Sequence, residues 1–304
     1  MKNKMSEGIK KCLIVMCCAV GVYGAPVGID INPDKRGWNA ELKRVAINLS
    51  STSVEGQTAY ASFSDSRISG DSQLIGQGYF DMGLDFYSAR FVFFNSALAE
   101  YGRTTLVRGN ERISNTTIDR ILLSTDYTHR IWYVPTLVGG FEVGPFIRAN
   151  YQTGFENRRQ ITRLNMGMKL FDGIYVKDLH LNAFTEKDFG LQRSAENYGW
   201  EGGIRFEYAF SPDSKLYYYT NFRHYLHSTA DDLYNPLYQL EFEVRVDTKL
   251  YKKLSLAPFI KYYALQGRHI DQLGSNVFVG FSLSFGYVFL DATKKQELEP
   301  LQNL

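Results

Sequence analysis

The sequence predicts an all-β fold, an antiparallel up-and-down β-barrel of about twelve strands, and three observations lead to this prediction. Residues 277–289 carry a large apolar side chain at every odd position, with glycine or serine at the even positions from 280 to 286. Residues 240–250 alternate apolar with charged or polar side chains in the same way. The composition adds 21 Phe, 21 Tyr and 3 Trp against 8 Pro, which favours strands. Because successive side chains of a strand point to opposite faces, each segment has one apolar and one polar face.

The length of these segments indicates that the barrel spans a membrane. Strands of globular proteins usually have about five or six residues, whereas a tilted strand needs roughly 9–11 residues to cross a bilayer. No stretch after Gly24 approaches the roughly 18 apolar residues of a transmembrane helix. We therefore expect the apolar faces to contact lipid and the polar faces to line a lumen. The alternative class is a soluble periplasmic lipid-binding β protein.

The first residues are predicted to form a cleaved signal peptide, residues 1–24. Four lysines precede an apolar run over residues 12–24, and small residues allow cleavage before Ala25. An uncleaved membrane anchor is the alternative, although the run is shorter than a usual spanning helix. Residues 25–36 would follow as a periplasmic N-terminal segment. All three cysteines lie in the leader, so a mature chain would have neither disulfides nor a thiolate metal site.

The mature chain is expected to be close to neutral. The full sequence has 34 Lys and Arg and 32 Asp and Glu, and residues 1–24 contain four lysines and one glutamate, which leaves 30 minus 31, or −1. This balance gives no reason to expect a nucleic-acid partner. Neither a Gly-rich phosphate loop nor an HExxH motif is present, so no cofactor is predicted.

Twelve alternating segments are predicted as strands, an even number, as membrane-spanning barrels of bacteria require. They lie near residues 37–50, 73–87, 89–102, 117–133, 137–155, 160–172, 175–188, 197–210, 214–226, 236–251, 253–266 and 275–289. The first changes phase between Leu42 and Val45, which predicts a β-bulge. The third is apolar on both faces at residues 91–94, and the boundary near Pro135 rests on that proline and the glycines after it. The barrel as a whole is predicted over residues 37–289.

The connections between these segments alternate in length. Short turns are predicted at residues 86–90, around Pro135, and at 172–173, 211–214 and 252–253, where turn-forming residues such as Asp-Gly and Ser-Pro-Asp occur. Longer polar loops are predicted at 51–72, 103–116, 156–160, 189–196, 227–235 and 267–274. This alternation indicates short periplasmic turns, longer extracellular loops and both chain ends on the periplasmic side. The loop 51–72 either folds into the lumen, binds an extracellular partner or stays solvated, and residues 290–304 form a polar tail.

With these features the chain resembles a bacterial outer-membrane β-barrel protein, at the level of architecture and without a specific family motif. In that class the last strand carries an alternating apolar signal with a terminal aromatic residue, which Phe285, Tyr287 and Phe289 match. Ser284 stands where many members have glycine, and the polar tail follows where many members end. The resemblance implies a location in the outer membrane, contact with its lipid, and recognition of these three aromatic residues by the barrel-assembly machinery.

Charged residues recur on the faces that are expected to point inward. The predicted lumen-lining residues are Asp81, Asp85, Arg120, Arg148, Arg205, Glu207, Arg223, Glu241, Glu243, Arg245, Asp247 and Lys261. Such a lining either tunes the choice of solute in a pore or forms ion pairs that plug a narrow interior. The leading hypothesis is a passive channel for small polar solutes. The alternative is an outer-membrane enzyme or surface-interaction protein on a closed, ion-pair-plugged barrel.

The histidines give little support for catalysis or for a metal site. A lipid-facing hydrolase resembling outer-membrane phospholipase would show a His-x-Ser pair on one strand, and none occurs. His269 and Asp271 would share a face if extended, but they lie in a predicted loop. His224 and His227, with Asp231 and Asp232 nearby, have a spacing that suits a helix better than a strand. We therefore predict no catalytic residue and no metal ligand.

Overall fold

A computed structural model describes residues 35–60, 66–69, 74–108, 111–134, 140–156, 159–190, 194–231 and 235–292. The elements are β1 (Gly37–Glu55), α1 (Ser66–Ser69), β2 (Leu74–Tyr87), β3 (Phe91–Arg108), β4 (Glu111–His129), β5 (Trp132–Val134), β6 (Phe141–Thr153), β7 (Ile161–Phe171), β8 (Val176–Asp188), β9 (Ala195–Ser211), β10 (Ser214–Ser228), β11 (Pro236–Tyr251), β12 (Leu254–Gly267) and β13 (Gly274–Leu290). The predicted signal peptide, most of the segment 25–36 and nearly all of the tail 290–304 lie outside the described residues.

The strands form a closed antiparallel barrel, as the sequence predicts. Twelve long strands of 11 to 19 residues pair with their neighbours in sequence, and β1 pairs with β13 to close the ring. β4 pairs directly with β6, and the three-residue β5 continues that edge by pairing with β6 beyond the end of β4. Each of the twelve long strands in the described part of the chain thus pairs with a neighbour on both sides, as the hydrocarbon of a membrane requires.

Two details of the strands test the pattern analysis. The expected bulge in β1 is present, because the register with both β2 and β13 shifts just after Leu42. The predicted loop 103–116 is wrong: β3 continues to Arg108, β4 begins at Glu111, and the two pair over the whole stretch from Arg103 with Thr116 to the tip. These residues include several threonines, an isoleucine and a valine, which favour strands, but they lack the apolar–polar alternation used to find the other strands.

The outside of the barrel carries a broad belt of exposed apolar side chains. Ile47 of β1 is 65% exposed and Phe281 of β13 is 61% exposed, and Met166 and Leu181 are likewise exposed on the outer faces of β7 and β8. An apolar surface of this extent is not stable in water, whereas lipid solvates it. The chain is therefore a transmembrane β-barrel of the outer-membrane type.

None of the helical segments in the described part of the chain has the length and the apolar character of a membrane-spanning helix.

The connections alternate in length as expected, apart from the β3–β4 hairpin and the stretch from β4 to β6, which contains β5 and includes residues 135–139 outside the described part of the chain. Turns of two to four residues join β2 to β3, β7 to β8, β9 to β10 and β11 to β12, whereas connections of six residues or more join β1 to β2, β6 to β7, β8 to β9, β10 to β11 and β12 to β13. β1 begins and β13 ends on the short-turn side. By the orientation rule for such barrels, that side is periplasmic and the long loops are extracellular.

Candidate functional site

The interior of the barrel is polar and charged. Burial alternates along the strands, and in β1 the even residues from Arg44 to Thr52 are buried inside while the odd ones are exposed outside. The other strands follow the same rule, so that the twelve lumen-lining candidates all lie on inward-facing positions. The structure joins most of these residues into two networks and leaves five of them outside.

The first network crosses the lumen from one wall to the opposite wall. β4 and β11 lie six places apart in the ring of twelve long strands, and Arg120 of β4 nevertheless lies 3.5 Å from Glu241 of β11. Arg120 also contacts Glu100 of β3 at 2.7 Å, and Glu100 contacts Lys261 of β12 at 3.2 Å. The interior is thus bridged at this level by side chains rather than by backbone.

The same network continues along β11. Glu243 lies 2.7 Å from Arg245, 3.4 Å from Lys261 and 3.7 Å from Arg44 of β1. Arg245 also contacts Asp247 at 3.0 Å. The sequence candidates Arg120, Glu241, Glu243, Arg245, Asp247 and Lys261 therefore belong to one network, together with Glu100 and Arg44, which the sequence analysis missed.

The second network is formed by side chains of β4, β6, β7 and β8. Arg148 contacts Asp126 at 2.9 Å and Asp178 at 3.5 Å, while the buried Lys169 binds Asp126 at 2.9 Å. His180 Nδ1 lies 2.5 Å from Asp178 Oδ1. Asp178 and His180 were not among the sequence candidates. Their spacing could have identified them, because two polar residues two positions apart on one strand share a face.

The remaining candidates are joined locally or not at all. Arg223 forms an ion pair with Glu201 of the neighbouring β9, and Glu207 lies 3.5 Å from Lys215 at the periplasmic rim. Asp85 is buried but joins no ion pair among the described residues. Arg205 has no hydrogen bond or ion pair to another described residue, and its Nε is buried without an acceptor.

Asp81 faces Arg205 from the other side of the ring. β2 and β9 are six places apart, so the two residues lie on opposite walls, and each is six residues from the periplasmic end of its strand. Asp81 forms no ion pair within the described part of the chain, and its one polar contact there is Tyr79 Oη at 3.5 Å. Among the described residues, no ion pair therefore joins these two charges across the lumen.

The first long loop folds into the extracellular mouth. Ile68 of α1 is fully buried against Tyr60, Tyr263 and Leu265, and Arg67 forms an ion pair with Glu241. The Arg67 guanidinium also lies 3.8 Å from the Tyr263 ring centre, and Asn276 Nδ2 donates to the Arg67 carbonyl at 2.6 Å. Of the three possibilities for this loop, its described part takes the inward course.

Tyr60 fastens the base of this loop to the loop between β12 and β13. Its hydroxyl donates to the Gln272 carbonyl at 2.8 Å and accepts from the Gly267 amide at 2.9 Å. Burial raises the pKa of the Tyr60 phenol, so the hydroxyl keeps the proton that it donates. The mouth is therefore held by hydrogen bonds as well as by apolar packing.

Beside α1, the extracellular half of the lumen keeps an open cavity of about 150 Å³. Its wall includes five arginines and four acids: Arg67, Arg120, Arg159, Arg163, Arg223, Asp119, Glu186, Asp188 and Glu241. Asparagine, glutamine and tyrosine side chains from β6, β9, β10, β11 and β12 complete it. On the basis that one water needs about 10–15 Å³ of such space, the cavity holds on the order of ten waters.

The histidines named above lie outside this cavity. His227 stacks on Tyr198 with ring centres 4.9 Å apart, and His224 lies 5.9 Å from Trp200, both near the extracellular end of β10. Within the described residues no group of three or more His, Cys, Asp or Glu side chains is arranged to hold a metal ion, and Asp232 lies outside those residues. Phe285, Tyr287 and Phe289 are exposed on the outside of β13, and their role in assembly stays a prediction.

No family model and no curated protein matches the chain. Among solved structures it is similar to an outer-membrane channel from Pseudomonas putida F1, with 12% identity and a TM-score of 0.46 over 86% of this chain and 100% of that chain. The outer-membrane channel DcaP of Acinetobacter baumannii gives 8% identity and a TM-score of 0.39 over 87% and 99%. Outer membrane phospholipase A from Escherichia coli gives 10% and 0.40 over 81% and 98%.

Proposed function

We propose that this outer-membrane β-barrel is a narrow passive channel for small polar solutes. The observation that carries the proposal is the charged cavity of about 150 Å³ in the extracellular half of a polar lumen. Barrels of about eight strands have interiors filled by side chains, and those of sixteen or more enclose an aqueous channel. A ring of twelve long strands lies between these sizes, so the side chains decide whether water and solutes pass.

The ion pairs of the first network would form the constriction of this channel. Arg120 and Glu241 approach from opposite walls, and Arg67 of α1 adds a second cation to the same carboxylate. Side-chain ion pairs beside water exchange partners more readily than backbone hydrogen bonds, so this crossing can give way to a hydrated solute. Below it, the unbridged charges of Asp81 and Arg205 would contact a solute of either sign.

A closed barrel that serves as a scaffold for an enzyme or a surface-interaction protein is the second candidate function. The observation that favours it is the same direct contact between opposite walls, Arg120 with Glu241, which narrows the path. In that case polar residues above the membrane rim would carry the activity, and His224, His227 or His269 would be needed for it. Outer-membrane lipid is a partner under both proposals, and the assembly machinery would bind through the aromatic residues of β13.

Swelling of liposomes in iso-osmotic solutions of polar solutes tests the channel proposal. We expect proteoliposomes to swell in arabinose, with a slower rate in sucrose because the lumen is narrow. Glu241→Gln removes the charge that Arg67 and Arg120 share, so it should raise both rates. Lys249→Gln is the control, since this exposed lysine near Asp213 lies at the periplasmic rim.

Two results would contradict the proposal. One is an absence of swelling for both the wild type and Glu241→Gln, although the barrels are folded by heat-modifiable gel mobility. The other is an equal increase for Lys249→Gln, because the rim lysine has no part in the constriction. A loss of a surface activity in His224, His227 or His269 variants, without any swelling, would support the second candidate.

A further inference from the structure

In two ion pairs at the extracellular cavity, the arginine side chain is more exposed than its carboxylate partner. Arg159 pairs with Asp188, yet the arginine side chain is 24% exposed and the aspartate 1%. Arg120 pairs with Glu100, and the exposed fractions are 19% and 6%. Within these pairs the carboxylate faces the wall while the guanidinium faces the open space.

The acids of the cavity wall are also engaged by other groups. Glu186 accepts from Arg163 and from Asn197 Nδ2 at 3.0 Å, and Asp188 accepts from Arg159 Nε at 2.7 Å and from the Gly190 amide at 2.9 Å. These contacts direct both carboxylates toward the wall and leave them few free acceptor positions.

The other two acids of the wall are engaged as well. Asp119 accepts from the amides of Phe155 and Glu156 at 2.6 and 3.0 Å. Glu241 accepts from Arg67 and from Gln239 Nε2 at 3.1 Å. A cation that enters the cavity therefore competes with at least two existing contacts at each carboxylate.

Arg163 keeps unused donor capacity. Arg163 uses Nε and Nη2 on Glu186, and its Nη1 makes no hydrogen bond within the described residues. Two further arginines of the cavity, Arg120 and Arg223, have their shortest ion pairs with Glu100 and Glu201, which are not part of the cavity wall, although Arg120 also contacts the wall residue Glu241. Guanidinium groups offer planar N–H edges that match the oxygens of carboxylates and phosphates.

We infer that the cavity is a selectivity site for small oxyanions, compounds with a carboxylate or phosphate group, and that Arg159 and Arg163 are its main recognition residues. The inference rests on the proposed channel function and names the class of solute that the channel prefers. Rings of arginine and lysine select anions in pores because their field raises the local anion concentration. The neutral Asn, Gln and Tyr groups of the wall would hydrate the rest of the solute.

Reversal potentials across a planar bilayer test the inference. The wild type, in a gradient of potassium chloride, should prefer chloride over potassium, and separate gradients of potassium acetate and potassium phosphate distinguish carboxylate from phosphate preference. For a unit charge about 7 Å from a permeating ion, Coulomb's law in water gives a change of about threefold in local anion concentration. Arg159→Gln should therefore lower the chloride-to-potassium ratio by about threefold or more.

A charge-balanced variant separates the exposed guanidinium from the net charge. Arg159→Gln combined with Asp188→Asn keeps the net charge of the wall but removes the exposed cation, so it should lower the anion preference as well. Lys249→Gln removes one positive charge outside the cavity and should leave the ratio unchanged. A wild type that conducts but prefers potassium, or a double variant with the wild-type ratio, overturns the inference while leaving the channel proposal standing.

The inference can also be tested if the wild type shows no conductance. Titration calorimetry of the folded barrel with inorganic phosphate should then give binding that Arg159→Gln or Arg163→Gln weakens by about threefold or more. Such binding would uphold the anion site and refute the channel. A wild type that neither conducts nor binds phosphate overturns both the channel proposal and the anion site.

Discussion

The docked position of α1 in the mouth gives the sharpest single prediction. Ile68 has 0% exposure and packs against Tyr60, Tyr263 and Leu265, so Ile68→Ala leaves a cavity under the helix. Substitutions of this kind cost about 2–5 kcal/mol. Since about 1.4 kcal/mol is a factor of ten, the ratio of undocked to docked α1 should rise at least about 30-fold.

The assay is single-channel recording in planar bilayers. An undocked α1 takes Arg67 away from Glu241 and widens the mouth, so Ile68→Ala should spend more time in a higher conductance level than the wild type. Ile47→Ala is the matched control, because Ile47 is 65% exposed on the outer face and contacts lipid. Equal dwell times for Ile68→Ala and the wild type, with both barrels folded, would refute the reasoning.

Three further predictions concern the stability of the barrel. Gly280→Ala should destabilise it by about 1–3 kcal/mol in urea unfolding, since the added Cβ would lie 2.1 Å from the carbonyl oxygen of Leu49 in the paired strand β1. Gly76→Ala is the control and should be neutral, because a Cβ at that position has no other atom within 4 Å. Phe281→Arg should cost about 2–4 kcal/mol because its side chain faces lipid, and an unchanged midpoint would contradict that orientation. Asp126→Ala should cost about 3–5 kcal/mol by leaving the buried Lys169 without its main counter-ion, and a second substitution, Lys169→Met, should recover much of the loss.

The sequence predicted the barrel well because period-2 alternation is a local signal with a physical cause. A strand between lipid and a polar lumen must alternate apolar side chains with polar or small ones, and residues 240–250 and 277–289 do so over most of their length. The bulge after Leu42 was visible for the same reason, as a break in phase. The β3–β4 hairpin was not, since residues 103–116 lack the apolar–polar alternation of the other strands.

The pairing of lumen charges could not be predicted from the sequence. Which side chains meet depends on the number of strands and on their stagger, and these decide that Arg120 meets Glu241 from the opposite wall. The inward course of the first long loop depends on contacts between Ile68 and residues of β12 that lie far away in sequence. Lys169 alternates with apolar residues in the sequence, but only the structure shows that it is buried against Asp126.

The conductance of the wild-type protein tests the central claim most directly. Purified, refolded barrel in a planar bilayer with 1 M potassium chloride should give discrete openings of small conductance, because the proposed path runs from the extracellular cavity through a constriction made of side chains. A folded protein that gives no openings at any applied voltage, in a preparation whose barrel is intact by heat-modifiable mobility, would contradict the claim.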